Sequence, residues 1–345
     1  MQEEAVKQAV DHSEVASGLL KLDAEAEINR ISAAVRTQVS RELRRQGAVV
    51  AISGGIDSSV TAALCARALG PDRVLGLMMP ERDSSSETAR LSRLLAETLG
   101  IRTAFEDITP ILESVGCYRR QDEAYRSVVP ACGPGWQAKI VLPPVTENDG
   151  FRFFSLVTRS PVGEEITSRL DADTYLQILA ATNFKQRVRK MLEYYHADRN
   201  NYAVAGTPNR LEYDQGFFVK LGDGAADLKP IAHLYKTQVY QLAGALGIPD
   251  EIRLRPPTTD TYSMPQSHEE FYFSLPYAAM DVCLHAKNNG IPVAEVAAML
   301  DLSPDQIERV FADIEQKRRT TRYQHLAPTL VDAVPEVGAA VAEKR

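Results

Sequence analysis

The chain has 345 residues and a formal net charge of -7, a balance that argues against broad binding to nucleic acid, which wants a basic face. At 44% hydrophobic and 25% charged residues it reads as a globular protein of one large α/β domain or two small ones, and no apolar run approaches the ~20 residues of a membrane span. The four cysteines, Cys65, Cys117, Cys132 and Cys283, form no CxxC pair, so free thiols of a cytoplasmic protein fit better than zinc or disulfides.

Residues 1–23 are polar and acidic, unlike a signal peptide, and are expected to be disordered or frayed. From 27 to 45, Ile28, Ile31, Val35, Val39 and Leu43 recur every three or four positions, the spacing of an amphipathic helix. The apolar run 48–52 then reads as a buried parallel strand. The run 60–69, closed by Gly70 and Pro71, reads as a helix.

Between them lies Ser53-Gly54-Gly55-Ile56-Asp57-Ser58-Ser59. Strand, glycine turn and helix together aim backbone N–H groups and a helix dipole at an anion. The glycines let the backbone approach phosphate oxygens, and Ser53, Ser58 and Ser59 add hydroxyls. A bare Asp57 beside phosphate would repel it, but makes sense as a ligand of Mg²⁺, which takes one or two carboxylates together with phosphates. The spacing is not that of a Walker A loop. SGGxDS resembles instead the pyrophosphatase loop of the N-type ATP family, whose members include NAD, GMP and asparagine synthetases and tRNA thiolases and cleave ATP between its α and β phosphates.

Further strands are expected at 74–79 and 101–105, with helices from 84–86 to 99 and from 109 to 115. Strands alternating with helices give an α/β fold with a doubly wound parallel sheet and flanking helices, its ligand at the carboxyl ends of the strands. Residues 116–171 break that rhythm. Segments 139–142, 151–158 and 165–170 suggest a small antiparallel β insertion, with Asn148-Asp149-Gly150 as a hairpin turn. It could serve as a lid, a specificity element, an oligomer contact or surface decoration. A helix from 173 to about 195 carries Lys185, Arg187, Arg189 and Lys190, a basic run that is either a solvated face or part of a site. Strand 202–206 delivers a second loop rich in glycines and acids, and another helix closes at Gly247. Ser303-Pro304-Asp305-Gln306 starts a C-terminal helix with a cap, a proline and a glutamine.

Over about residues 24–275 the chain resembles the ammonia-dependent NAD synthetases. The resemblance rests on Thr207 with Glu212 five residues later, on the run Gly216 to Gly224, on Lys236 and Gln238, on Pro257-Thr258-Thr259-Asp260, and on Asn183 with Arg187. It implies an adenine nucleotide alpha hydrolase-like domain over 24–330, with the insertion at 116–171, a helical C-terminal region and a tail at 331–345. It further implies that ATP adenylates the nicotinate carboxylate of deamido-NAD, and that ammonia then displaces AMP. Asp57 and Glu212 would share Mg²⁺. Residues 53–59, Thr207 and Lys236 would bind ATP and its pyrophosphate. Lys236 would act on the α-phosphate or the oxyanion. Asp223 and Thr258 would face the acyl carbon, and Asn183, Arg187, Lys220 and Asp223 would bind substrate. A homodimer is implied. No glutaminase domain is expected, so ammonia would come free or from a separate subunit. The sequence departs from the family in three ways: it lacks the usual basic cluster near Thr321-Arg322-Tyr323-Gln324-His325, it has Arg210-Leu211 in place of a small or basic pair, and it carries the insertion. These departures leave open an amide ligase of the same mechanism acting on another carboxylate.

Overall fold

A computed structural model describes residues 12–144, 152–255, 262–266, 272–273 and 275–335. The expected fraying gives way at residue 12, because 12–19 form a helix (α1) whose Ala16, with Leu20 just beyond, is buried in a helical core. Small and apolar residues on one side of α1 supply that anchor, which the polar composition of the segment conceals. Next come α2 (Ala24–Thr37), extended by one π turn over Gln38–Glu42, then β1 (Ala48–Ala51), α3 (Ile56–Leu69), β2 (Val74–Met78), α4 (Ser86–Leu99), β3 (Arg102–Phe105) and α5 (Thr109–Ser114). The order continues with α6 (Cys117–Val128), β4 (Gln137–Val141), β5 (Ser155–Arg159), β6 (Glu165–Arg169), α7 (Ala172–Asn200), β7 (Ala203–Ala205), α8 (Arg210–Gln215), α9 (Lys236–Ala245) and α10 (Asp250–Arg253). It ends with α11 (Tyr277–Asn289), α12 (Val293–Leu300) and α13 (Pro304–His325).

The expected parallel sheet is present, in the order β3-β2-β1-β7. β1 is central, with Val49 level with Leu75 on one side and Val204 on the other. Successive strand residues face opposite ways. Ala48 and Val50 therefore enter the core made with α2, α3, α4 and α9, while Val49 enters the core made with α5 and α7. Covering both faces explains the unbroken apolar run of β1. It also leaves the carboxyl ends of β1, β2 and β7 as the open edge of the fold.

The small antiparallel sheet is also present, in the order β4-β5-β6, with Ile140 opposite Leu156 and Thr158 opposite Ile166. The hairpin turn assigned to 148–150 lies outside the described residues. Residues 117–128 are helical: α6 occupies them and packs along α7, burying Cys117, Tyr118, Gln121, Ala124 and Tyr125. The sheet rests on α6 and the first turns of α7 through Ile140, Leu156, Leu170 and Ile178. At the other end Ser303 caps α13 as expected: Gln306 N donates to Ser303 Oγ at 3.2 Å and Ser303 N to Gln306 Oε1 at 2.9 Å.

Candidate active site

Ser53, Gly54 and Gly55 turn the chain from β1 into α3. Gly54 has φ +68, and a Cβ there would fall 2.8 Å from Leu91 Cβ, so a side chain is excluded by both backbone and packing. Gly55 caps α3 without a side chain, leaving the first amides of the helix without intrahelical partners at its positive end. Ser58 Oγ accepts from Ser53 N at 3.3 Å and donates to Gly55 O at 3.0 Å. Ser59, expected on pyrophosphate, is turned away instead: it is fully buried and its hydroxyl donates to Gly55 O at 2.8 Å. Adjacent helical positions point about 100° apart, so Ser58 can face the cavity while Ser59 faces the core.

Asp57 and Glu212 are joined through one residue outside the expected set, Asn209. Asn209 is fully buried and caps α8. Its Nδ2 donates to Asp57 Oδ1 at 3.1 Å, its backbone N to Glu212 Oε2 at 3.0 Å, and its Oδ1 accepts from Glu212 N at 3.3 Å. The Asn-x-x-Glu spacing is a capping-box signature and could have exposed it. The second Asp57 oxygen accepts from Lys236 Nζ. Burial and the neighbouring charge of Asp57 push the Glu212 carboxyl up to about 8. Burial works against the Lys236 charge, but Asp57 and Glu212 outweigh it and hold that ammonium above its ordinary value.

Lys236 opens α9, and its placement depends on a contact distant in sequence. Asp281 on α11 accepts from Lys236 N at 3.2 Å, from Thr237 N at 2.7 Å and from Thr237 Oγ1 at 2.7 Å. Burial pushes Asp281 up to about 7 against those bonds. Gln238, two positions on, takes Tyr235 N at 3.1 Å and so fixes the entry to the same helix.

A cavity of about 990 Å³ gathers residues 53–58, Thr207, Glu212 and Lys236, and with them Asn183, Arg187, Lys220 and Asp223. Asp223 both caps a turn, accepting from Val219 N at 2.7 Å, and lines the cavity, with burial raising its carboxyl. Arg187 Nε donates to Lys220 O at 3.3 Å, and Lys220 Nζ to Tyr323 O on α13 at 2.8 Å. Thr258, with the stretch around it, lies outside the described residues. The basic run on α7 is a solvated face only in part: Arg187 is exposed and Arg189 half-buried, whereas the two lysines are buried. Lys185 is buried against Glu81 and Asp83, both at 2.8 Å, and Lys190 against Glu193 at 2.6 Å. Among the described residues no group of three or more His, Cys, Asp or Glu could hold a metal on its own.

The model of one protein family, NAD synthase, matches residues 27–128 and 159–324. The unmatched stretch between them, 129–158, is shorter than the 116–171 expected for the insertion. The chain is 60% identical over 312 residues to the NH(3)-dependent NAD(+) synthetase of Mesorhizobium japonicum, covering 90% of this chain and 98% of that one. It is 58% identical over 318 residues to the protein of the same name from Rhizobium meliloti, covering 92% and 95%. Its fold is similar to the NH3-dependent NAD synthetase of Campylobacter jejuni, with a TM-score of 0.58 at 20% identity over 90% of this chain and 100% of that one. It is similar also to the NMN synthetase of Francisella tularensis, with a TM-score of 0.61 at 20% identity and the same coverage.

Proposed function

The chain belongs to the NAD synthase family, and from that premise we propose how its own residues carry out the reaction. The activity is the ATP-dependent amidation of deamido-NAD with ammonia. A nicotinate carboxylate oxygen attacks the α-phosphorus of ATP, the α–β bridging bond breaks and pyrophosphate leaves. Ammonia then attacks the acyl-adenylate, loses a proton and expels AMP. The observation that carries the assignment of roles is the cluster Asp57, Asn209, Glu212 and Lys236 at the N-terminus of α3.

The triphosphate lies over the 53–58 turn, where the first amides of α3 take the β and γ oxygens that become pyrophosphate. Met78, Met79 and Pro80 at the end of β2 line the cavity beside that turn and offer an apolar wall to the adenine. Thr207, at the end of β7, borders the nucleotide from the other side. Lys236 brings positive charge to the α-phosphate as the bond to the leaving group breaks, a contact that strengthens in the transition state. The Asp57 and Glu212 carboxylates suit Mg²⁺ carried in with ATP, since that ion takes one or two carboxylates and completes its shell with phosphate and water. Crowding of two carboxylates, seen in the raised Glu212, is relieved by such a cation. Bound there, Mg²⁺ would supply charge neutralisation for the departing pyrophosphate. Asp223, its carboxyl raised by burial, takes the proton from the attacking ammonia. Asn183, Arg187 and Lys220 hold the acceptor along α7.

Residues 24–330 act as one catalytic unit in this proposal. Leu176, Met191 and Tyr195 expose large apolar surface along α7, which supports a homodimer through that helix. Four free, buried cysteines support a reducing, cytoplasmic setting. Among the described residues no helix is long and apolar enough to cross a membrane. Ammonia enters free or from a separate glutaminase subunit. The test is a steady-state assay with ATP, Mg²⁺, ammonium and deamido-NAD. One pyrophosphate per NAD, at a turnover of about 10 s⁻¹, is expected. A bare trace of turnover would pass the reaction to another carboxylate.

A further inference from the structure

The cavity extends well past the reacting groups. Its lining residues on α7 run from Tyr175 to Glu193, about 27 Å at 1.5 Å per residue. The chemistry sits toward the Glu193 end, where Arg187 Nε donates to Lys220 O at 3.3 Å on the loop that carries Asp223. At the Tyr175 end the wall is made by Leu142, Arg152 and Phe154, all inside the 129–158 stretch that the family's model leaves unmatched. Phe154 lies stacked on Tyr175, with ring centroids 4.3 Å apart and planes at 13°. Arg152 pairs with Asp313 on α13, whose other oxygen takes Lys317 Nζ at 2.7 Å. Arg152, Asp313 and Lys317 all line the cavity at this end.

The geometry points to the inserted sheet as the recognition wall for the far half of the acceptor: the adenylate joined by the diphosphate to the reacting nicotinate nucleotide. The inference rests on the amidation reading above. With the carboxylate held near Asp223, the rest of the dinucleotide must run along α7 away from Glu193. At its far end it meets an aromatic pair that suits a purine face, beside the Arg152 guanidinium and the Lys317 ammonium, donors of the kind that bind phosphate. Phe154 is then a specificity-determining residue, and Arg152 positions the wall against α13.

The test compares Phe154→Leu, which keeps apolar bulk without a ring, with Phe154→Tyr, which keeps the ring. For the leucine variant the KM for deamido-NAD should rise about tenfold, the order expected for a lost base–aromatic stack. The KM for ATP, and the inhibition constant of nicotinate mononucleotide, which lacks the far adenylate, should stay within about twofold, and the tyrosine variant should behave as wild type. A rise shared equally by the mononucleotide or by ATP, or no rise at all, overturns the proposal. Wild-type protein that makes no NAD from deamido-NAD refutes the reaction assignment instead, which separates the two failures.

Discussion

The two ends of the cavity are built to different tolerances. At the phosphate end each reacting side chain is held by the starts of helices: Asp57 by α3, Asn209 and Glu212 by α8, and Lys236 by α9. Each is tied to another by hydrogen bonds between elements that meet under the sheet's open edge. At the insertion end the wall is a three-stranded sheet whose outer strand, β6, is largely exposed; the sheet is seated on α6 and α7 by its apolar face, and its cavity edge is tied by a ring stack and an ion pair. Phosphoryl transfer loses orders of magnitude when groups move by an ångström, whereas ring stacking tolerates such movement. Lesions at the first end should therefore appear in turnover, and lesions at the second in acceptor affinity or in modest changes of stability.

The largest expected effect is at Asp57. Asp57→Asn should lower pyrophosphate release by about 10³-fold or more, the scale of losing a charge aligned with the transition state. The fold should survive: without Asp57's charge, Glu212 loses a cause of its raised carboxyl and can ionise to balance the buried Lys236. Pyrophosphate assay beside circular dichroism checks both statements, and unchanged release removes Asp57 from the mechanism. Next comes Asn209. Asn209→Ala should cost about 10²-fold in kcat and about 1 kcal/mol of stability from the lost α8 cap. Asn209→Ser keeps a cap acceptor but cannot reach Asp57. It should recover the stability and not the rate, and recovery of both would reduce Asn209 to a cap.

These variants also mark where sequence is informative. The 53–57 turn was legible because strand, glycines and helix are contiguous, and the doubly wound sheet because β1, β2 and β7 are apolar throughout. Asn209's link to Asp57 was not, since it spans 152 positions of the chain, and Asp281 is one acid among many until α11 is packed against the start of α9. Helix α6 was missed because its buried side mixes Cys117, Tyr118 and Gln121 with Ala124 and Tyr125, giving weak apolar periodicity after a glycine. Ser59 was assigned to pyrophosphate because adjacent serines look alike in sequence, although a helix sends them in different directions. The basic run on α7 hid its buried partners Glu81, Asp83 and Glu193, two of them far away in the chain.

Asp281 gives a smaller effect with a definite pH signature. Its carboxyl rises from an ordinary value near 3.8 to about 7 on burial, so the native state retains a proton that the unfolded chain has released. The resulting stabilisation is complete below about pH 4 and is lost as pH climbs through about 7. Asp281→Asn cannot titrate there. The stability of wild type minus that of the variant should therefore fall by about 2 kcal/mol between pH 5 and pH 8. Titrations common to both proteins cancel in the difference. Denaturant melts at the two pH values measure it, and a constant difference would mean that Asp281 titrates like an exposed acid.

The smallest expected effect tests whether the insertion is fastened as loosely as its construction suggests. Arg152→Gln removes one cation from the trio with Asp313 and Lys317, but Asp313 keeps Lys317 within 2.7 Å and is not stranded. Burial lowers the Lys317 ammonium, while Asp313 opposes that shift and Arg152 reinforces it. Losing Arg152 therefore removes a repulsion as well as an attraction. With Asp313 still paired, the net cost should be about 1 kcal/mol, below the ~3–5 kcal/mol typical when a buried charge is left alone. Asp313→Asn, by contrast, removes the one carboxylate that both cations share and should cost several times more. If thermal melts show Arg152→Gln unfolding the protein as severely as Asp313→Asn, the insertion is as rigidly held as the phosphate end, and the contrast between the two ends fails.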